Sequence, residues 1–195
     1  METIVLKFGG TSVGSTDRIS AVADLIQVAS KEAFPVVVVS AMSGETNRLI
    51  DLAQSFGSEP NKREFDALVS TGEKVSASLV AIALNHLGLK AKSLSAAQFG
   101  MKTTSHFSRA KILDMNNDIL FQTIEEGYIP IITGFQGITA DGDTTTMGRG
   151  GSDTTAVAIA ASIKAKRCDI YTDVDGIYTT DPRIVPEAKK LDSIS

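Results

Sequence analysis

Short apolar runs recur along the chain and predict the strands of a buried sheet. Residues 36–39 are four consecutive valines, and residues 3–8, 128–135 and 168–172 are similarly rich in β-branched and aromatic side chains. Such runs are typical of strands that are covered on both faces, as in parallel sheets. A shorter strand is predicted at residues 90–94.

Segments with apolar residues at helical spacing separate these strands. The first follows Asp17, a possible helix cap, and has apolar residues at positions 19, 22, 23 and 26. Further helices are predicted at residues 47–56, 117–126 and 154–164, and at 62–86 with an interruption at 70–72. Residues 95–109 predict irregular structure. The stretch 138–151, rich in Gly, Asp and Thr, predicts an exposed turn.

The alternation of strands and helices predicts an α/β fold, with a mainly parallel sheet between two layers of helices. In such sheets, ligands bind beyond the carboxyl ends of the strands. Lys7, Ser40, Phe135 and Thr172 stand at those ends, and polar, glycine-rich loops follow them. We therefore expect one ligand site at this edge.

Composition narrows the class of protein. The chain has 195 residues, 43% of them hydrophobic, and a formal net charge of −4, which argues against a nucleic-acid partner. Cys168 is the single cysteine, so no intrachain disulfide forms, and with no signal-like N-terminal segment this points to the cytoplasm. No run reaches the roughly 20 apolar residues of a membrane helix. The cysteine and two distant histidines give no cluster of metal ligands.

The end of the first strand has the features of an anion site. Lys7 is followed by Gly9, Gly10, Thr11 and Ser12, and then by a helical pattern. Glycine lets the backbone approach a phosphate, a helix start adds partial positive charge, and the lysine adds a full one. An ordinary strand-to-turn connection explains the same residues equally well, and the spacing is not that of a P-loop.

A second glycine pair opens a later helix. Arg149, Gly150, Gly151, Ser152 and Asp153 precede an alanine-rich helical segment. A serine cap with an acid in the first turn is the ordinary explanation. The neighbouring arginine favours a carboxylate or phosphate ligand instead, because its guanidinium lies next to free N–H groups.

Two acidic features leave alternatives open. Glu73 follows the interruption at 70–72, where it is either a surface acid or a group that receives an ammonium. Asp173 and Asp175 follow the last predicted strand, in a stretch that suits either a nucleotide site or an Asp-Gly turn. The stretch lacks the glutamate that closes a calcium loop.

Together these motifs resemble the aspartokinases, within the amino-acid kinase family. The matching segments, in the family's order and over essentially the whole chain, are residues 7–12, 40–42 with 46–47, 70–73, 134–137, 149–156 and 171–183. The resemblance implies an αβα sandwich, with an amino-acid-binding N-terminal lobe at 1–165 and the beginning of an ATP-binding lobe at 166–195. It implies transfer of the γ-phosphoryl of ATP to the β-carboxylate of L-aspartate, the first step toward lysine, threonine and methionine.

The resemblance also implies roles for individual residues. Lys7 neutralises the transferring phosphoryl, and Asp153 orients the lysines around it. Arg149 binds the α-carboxylate of aspartate, and Glu73 its amino group. Other substrate contacts fall to Ser40, Thr46, Gly150, Gly151 and Ser152. The nucleotide is expected to contact Lys7, Gly9, Gly10, Ser12, Thr172, Asp173, Tyr178, Asp181 and Arg183.

Phosphoryl transfer to a carboxylate requires positioning and charge neutralisation, and no general base, since the attacking group is ionised at neutral pH. Mg²⁺ is expected on the ATP phosphates rather than in a protein site. By the same resemblance the chain stops within the ATP lobe and lacks regulatory ACT domains. Self-association is expected from an incomplete sheet. A non-catalytic binding module of this fold and a sister kinase, such as one for N-acetylglutamate, are the alternatives.

Overall fold

The computed structural model describes residues 2–173, 177–179, 185 and 187–191. Its strands are β1 (Thr3–Phe8), β2 (Phe34–Val39), β3 (Ala91–Leu94), β4 (Met101–Thr103), β5 (Ile112–Met115), β6 (Ile129–Thr133), β7 (Gln136–Ile138), β8 (Thr144–Thr146), β9 (Cys168–Tyr171), β10 (Ile177–Tyr178) and β11 (Lys190–Leu191). Its helices are α1 (Thr16–Ala29), α2 (Glu45–Gln54), α3 (Lys62–Val69), α4 (Thr71–His86), α5 (Ala96–Phe99), α6 (Asp118–Glu125) and α7 (Gly151–Ser162).

A five-stranded sheet in the order β3-β6-β2-β1-β9 forms the centre of the fold. All its neighbouring strands are parallel, with Val5 opposite Val36 and Val37 opposite Ile131. The valine run in β2 is buried throughout. The predicted α/β class with a mainly parallel sheet is confirmed.

Helices cover both faces of this sheet, because alternate strand residues point to opposite sides. On β1, Leu6 packs in one core cluster with residues of α1 and α4. Its neighbour Val5 packs in the other, with residues of α6 and α7. The carboxyl ends of the strands therefore lie between two layers of helices, at the edge of the sheet where the loops converge.

A smaller four-stranded sheet has the strand order β5-β4-β7-β8. It includes parts of two segments for which the sequence predicts no regular structure. Residues 95–109 contain α5 and β4. Within 138–151, residues 140–142 do form an exposed turn, but residues 144–146 form β8, so the prediction of a turn is wrong for that part. Thr145 and Thr146 are buried, and the hydroxyls of Thr103 and Thr145 lie 2.6 Å apart. Paired hydroxyls allow polar, β-branched residues to form a buried strand.

Of the part of the chain that the structure describes, one segment, Lys62–His86, is long and apolar enough by composition to cross a membrane. Half of its most apolar window is buried inside the protein. The segment consists of α3 and α4, which meet at Ser70, and its buried residues include Asp66 and Glu73. Buried acids and tertiary packing are typical of core helices in a globular domain.

Candidate active site

A cavity of about 700 Å³ opens where the carboxyl ends of β1, β2 and β6 meet the N-terminal ends of α2, α4 and α7. Its lining brings together these residues to which the sequence assigns roles: Lys7, Gly10, Ser40, Thr46, Glu73, Arg149, Gly150, Gly151, Ser152 and Asp153. They come from distant parts of the chain, and the parallel sheet collects them at one edge.

Lys7 and Asp153 form an ion pair inside this cavity. Lys7 Nζ lies 2.6 Å from Asp153 Oδ1, and the lysine side chain is only 9% exposed. Asp153 belongs to the first turn of α7, where a carboxylate complements the helix dipole. The pair fixes a nearly buried ammonium beside a helix start, an arrangement suited to an added anion such as a phosphoryl group.

The glycine turn after β1 differs from the prediction in one respect. The helix α1 begins only at Thr16, and its cap is Ser15, whose Oγ accepts a hydrogen bond from Arg18 N–H, rather than Asp17. The turn therefore has no helix dipole directly behind it. A Cβ on Gly10 would lie 2.8 Å from the Ala41 carbonyl oxygen, so glycine permits close packing of the β1 and β2 exit loops. Gly9 and Ser12 do not line the cavity.

Two other helices, α2 and α7, present uncapped N-terminal ends to the cavity. The residues before them, Gly44 and Gly150, have left-handed φ values of 82° and 73°, and neither helix has a side-chain cap. The first N–H group of each helix donates to a loop carbonyl oxygen, Glu45 N–H to Met42 and Gly151 N–H to Gly148. Because glycine has no side chain to cap the next N–H groups, those of Thr46 and Ser152 are available to an anionic ligand. The sequence indicated the α7 site, whereas it placed the α2 start too late and missed Gly44.

Glu73 is a buried acid in the first turn of α4. Its Oε1 accepts a hydrogen bond from Ala41 N–H at 3.1 Å, and its Oε2 has no hydrogen-bond partner among the described residues. Burial raises the pKa of the Glu73 carboxyl from its ordinary value of 4.5 to about 7, although the bond from Ala41 opposes that rise. A cationic group in the cavity would supply the missing partner.

Close packing fixes Glu73 and the loop after β2 to each other. A Cβ on Gly72 would lie 2.9 Å from Ala41 Cβ, so the start of α4 contacts this loop directly. Ser76 Oγ donates a hydrogen bond to the Ser40 carbonyl oxygen at 2.7 Å. Thr46 lies half-buried in the first turn of α2, on the same side of the cavity.

Arg149 is exposed at the rim of the cavity, and it forms no ion pair within the described ranges. The loop that bears it is held at the exit of β6. Phe135 has a left-handed φ of 69°, unusual for a non-glycine residue, and its N–H donates to Thr155 Oγ1 at 3.1 Å. Its carbonyl oxygen accepts from Met147 N–H at 2.9 Å. These contacts tie the β6 exit to α7 and to the residues before it.

The predicted nucleotide residues are only partly described. Thr172 and Asp173 follow β9 and are exposed, with Thr172 Oγ1 3.3 Å from Asp173 Oδ1, and neither lines the cavity. Tyr178 belongs to β10, which pairs with β11. Asp181 and Arg183 lie outside the described residues.

The sequence missed a buried acid, Asp66, and the two residues it binds. Ser108 and Thr146 line the cavity, and both donate hydrogen bonds to the Asp66 carboxylate. The only indication in the sequence was an acid, Asp66, on the same helix face as the apolar residue Val69. Other lining residues, to which the sequence analysis gives no role, include Met42, Ser43, Asn47, Ile50, Phe65 and Val69.

Within residues 2–173 and the short described segments beyond them, no three His, Cys, Asp or Glu side chains group as metal ligands. The acids of the cavity are Glu73, which is largely buried, and Asp153, which is paired with a lysine. This donor set fits a Mg²⁺ ion that is carried on nucleotide phosphates better than an ion held by the protein alone.

A model of the amino acid kinase family matches residues 2–195. The chain belongs to the amino acid kinase family. Aspartate kinase from Pseudomonas putida is 50% identical over 197 residues, and aspartokinase from Geobacillus stearothermophilus is 50% identical over 196 residues. Each alignment covers the whole chain and 48% of the relative, so the chain spans about half the length of these curated relatives.

Solved structures within this amino acid kinase family have the same architecture. Aspartate kinase from Synechocystis matches with a TM-score of 0.80 and 48% identity, over 95% of this chain and 31% of that one. E. coli aspartokinase III in complex with aspartate and ADP matches with a TM-score of 0.88 and 31% identity, over 98% of this chain and 54% of that one. The resemblance to the aspartokinases is confirmed.

Proposed function

We propose that the chain contains the amino-acid-binding part of an aspartate kinase. The main support for this proposal is one cavity that contains four charged residues, Lys7, Glu73, Arg149 and Asp153. The uncapped N-terminal ends of α2 and α7 face the same cavity. The whole-chain similarity to proteins named aspartate kinase supports L-aspartate as the amino acid. In the proposed reaction a β-carboxylate oxygen of aspartate attacks the γ-phosphorus of ATP. A C–O–P linkage forms and ADP leaves.

The amino acid binds through its two charged ends. Glu73 receives the substrate ammonium on Oε2, the oxygen that has no hydrogen-bond partner among the described residues. Arg149 binds the α-carboxylate, assisted by N–H groups at the start of α7. Ser40, Thr46, Gly150, Gly151 and Ser152 complete the pocket. Two fixed points of opposite charge orient the side-chain carboxylate toward the phosphoryl donor.

Lys7 neutralises charge on the transferred phosphoryl group, and Asp153 holds the Lys7 ammonium in place. The N-terminal end of α7 adds N–H donors to the same region. Mg²⁺ bound to the nucleotide phosphates supplies further charge neutralisation. No residue has to remove a proton, since the attacking carboxylate is already ionised.

Further parts of the proposal concern the nucleotide and the setting of the protein. Gly9, Gly10, Ser12, Thr172, Asp173, Tyr178, Asp181 and Arg183 are proposed to contact ATP. The division into lobes at 1–165 and 166–195, self-association, a cytoplasmic location and the absence of nucleic-acid and membrane partners remain predictions. Lysine and threonine biosynthesis is the proposed pathway.

The test measures L-aspartate binding by calorimetry and ADP release with L-aspartate and Mg-ATP. We expect saturable binding, and turnover that falls by about a thousandfold in Lys7→Ala, because a cation facing the transferring group is lost. Lys31→Ala, at an exposed lysine, is the matched control.

Three results would change the assignment. Absence of both aspartate binding and turnover would refute the proposed function. Binding with turnover no higher than in Lys7→Ala would make the chain a non-catalytic binding module. Phosphorylation of N-acetylglutamate but not of aspartate would show that the roles given to Arg149 and Glu73 are wrong.

A further inference from the structure

Asp66 is a fully buried carboxylate that, among the described residues, accepts hydrogen bonds from two distant residues alone. Its Oδ2 accepts from the backbone N–H groups of Ser108 at 2.8 Å and Thr146 at 2.7 Å. Its Oδ1 accepts from the hydroxyls of the same two residues, at 3.0 and 2.9 Å. One side chain of α3 therefore fixes two separate chain segments.

Both of these segments form the wall of the cavity. Ser108 adopts a left-handed φ of 65°, a conformation that the two hydrogen bonds to Asp66 stabilise. Thr146 ends β8, and its carbonyl oxygen accepts from Ala110 N–H at 2.9 Å. Met147 and Gly148 alone separate Thr146 from Arg149, so Thr146 anchors one end of the loop that bears the guanidinium.

Asp66 is also connected to the part of the cavity wall that contains Glu73. The helix α3 leads through Ser70 directly into α4, which bears Glu73 in its first turn. The Gln136 side-chain amide donates to the Ser70 carbonyl oxygen at 2.9 Å, in the buried interior. The junction that bears Glu73 and the loop that bears Arg149 are thus joined through buried hydrogen bonds.

We propose that Asp66 is a positioning residue that sets the Arg149 loop relative to Glu73, so that both charged ends of the amino acid bind together. This inference rests on the proposed function. Asp66 contacts no substrate. Its effect is on affinity for the amino acid, since it fixes the distance between two binding groups.

Asparagine at this position preserves the geometry. Its Oδ1 accepts from the two backbone N–H groups, and its Nδ2 donates to the two hydroxyls, which reverse from donors to acceptors. Asp66→Asn therefore separates positioning from charge, whereas Asp66→Ala removes the connection.

The experiment compares L-aspartate affinity by calorimetry in the full chain. We expect Asp66→Ala to weaken binding by about ten- to a hundredfold, the usual range for a misplaced binding group, and Asp66→Asn to stay within about threefold. Leu120→Ala, in the opposite helical layer, destabilises the core without touching the cavity and is expected to retain wild-type affinity. In turnover assays, Asp66→Ala is expected to raise KM more than it lowers kcat.

A second pair of variants applies if Asp66→Ala does not fold. Thr146→Val removes one hydroxyl bound to Asp66 and is expected to weaken binding by about threefold. Thr123→Val removes a buried hydroxyl on α6 that donates to the Ile119 carbonyl oxygen, and it is expected to leave L-aspartate affinity unchanged.

Wild-type affinity in Asp66→Ala or in Thr146→Val, or an equal loss in the control variants, would overturn the inference alone. A wild-type chain that binds no aspartate would overturn the proposed function and this inference with it.

Discussion

The regions around Asp66 and Glu73 show two ways in which one protein buries an acid. Both carboxylates lie on the α3–α4 segment, and both are almost inaccessible to solvent. Donors from two other segments saturate the oxygens of Asp66. Glu73 receives one backbone hydrogen bond and leaves an oxygen without a partner among the described residues.

The difference separates structure from function. A buried acid whose hydrogen bonds all come from the protein stabilises the fold, because those donors would otherwise be unpaired. A buried acid with an open oxygen costs stability until a ligand arrives, and such a group is suited to bind a cation. The two acids therefore predict different responses to substitution.

The largest expected effect is on stability. Asp66→Ala leaves a buried N–H group at Thr146 and a half-buried one at Ser108 without a partner, and should lower the free energy of unfolding by about 3–5 kcal/mol. Glu73→Ala at the same pH should change it by about 1 kcal/mol or less, since loss of the hydrogen bond from Ala41 is offset by relief of the buried charge. Urea unfolding at pH 7 measures both, and equal losses would contradict the distinction.

The second-largest expected effect is a change in folding stability with pH. The folded pKa of Glu73 lies above its ordinary value, so the protonated carboxyl favours the folded state, and this stability is lost as pH rises from 4.5 to about 7. Without ligand, Glu73→Gln should therefore gain stability over wild type at pH 8, by up to about 3 kcal/mol, and differ little near pH 4.5. Unfolding at several pH values tests this, and a pH-independent difference would be inconsistent with it.

The sequence predicts the central sheet well for a physical reason. Strands buried on both faces require nearly continuous apolar runs rich in β-branched residues, and β1, β2 and β6 have them. Strands β4, β7 and β8 have only three residues each. They include polar side chains whose burial depends on partners elsewhere, as Thr145 depends on Thr103. No local pattern reports such a pairing.

The site follows the same rule. Lys7, Glu73 and Arg149 stand beside glycine-rich strand exits or helix starts, and the parallel topology brings them together. The role of Asp66 was not predicted because its partners are 42 and 80 residues away along the chain. They also contribute backbone groups, which no sequence pattern reports. The left-handed conformation of Ser108 is likewise a tertiary effect.

The smallest expected effect concerns the surface of α3. Arg63 forms an exposed ion pair with Asp143 in the β7–β8 connection, at 2.7 Å, and so joins elements that Asp66 also joins. Solvent and salt screen this pair, so Arg63→Ala should leave the unfolding midpoint and aspartate affinity unchanged within error. A loss comparable to that of Asp66→Ala would show that the surface pair, rather than the buried acid, holds these elements together.

The most direct test of the account follows the Glu73 carboxyl itself. Carbon-13 NMR of the chain labelled at glutamate carboxyls, with Glu73→Gln to assign the signal, gives its titration with and without saturating L-aspartate. We predict a midpoint of about 7 in the free chain. With aspartate bound, the midpoint should fall below about 6, because the substrate ammonium stabilises the carboxylate. A midpoint that aspartate leaves unchanged would contradict the assignment of Glu73 as the receptor of the amino group.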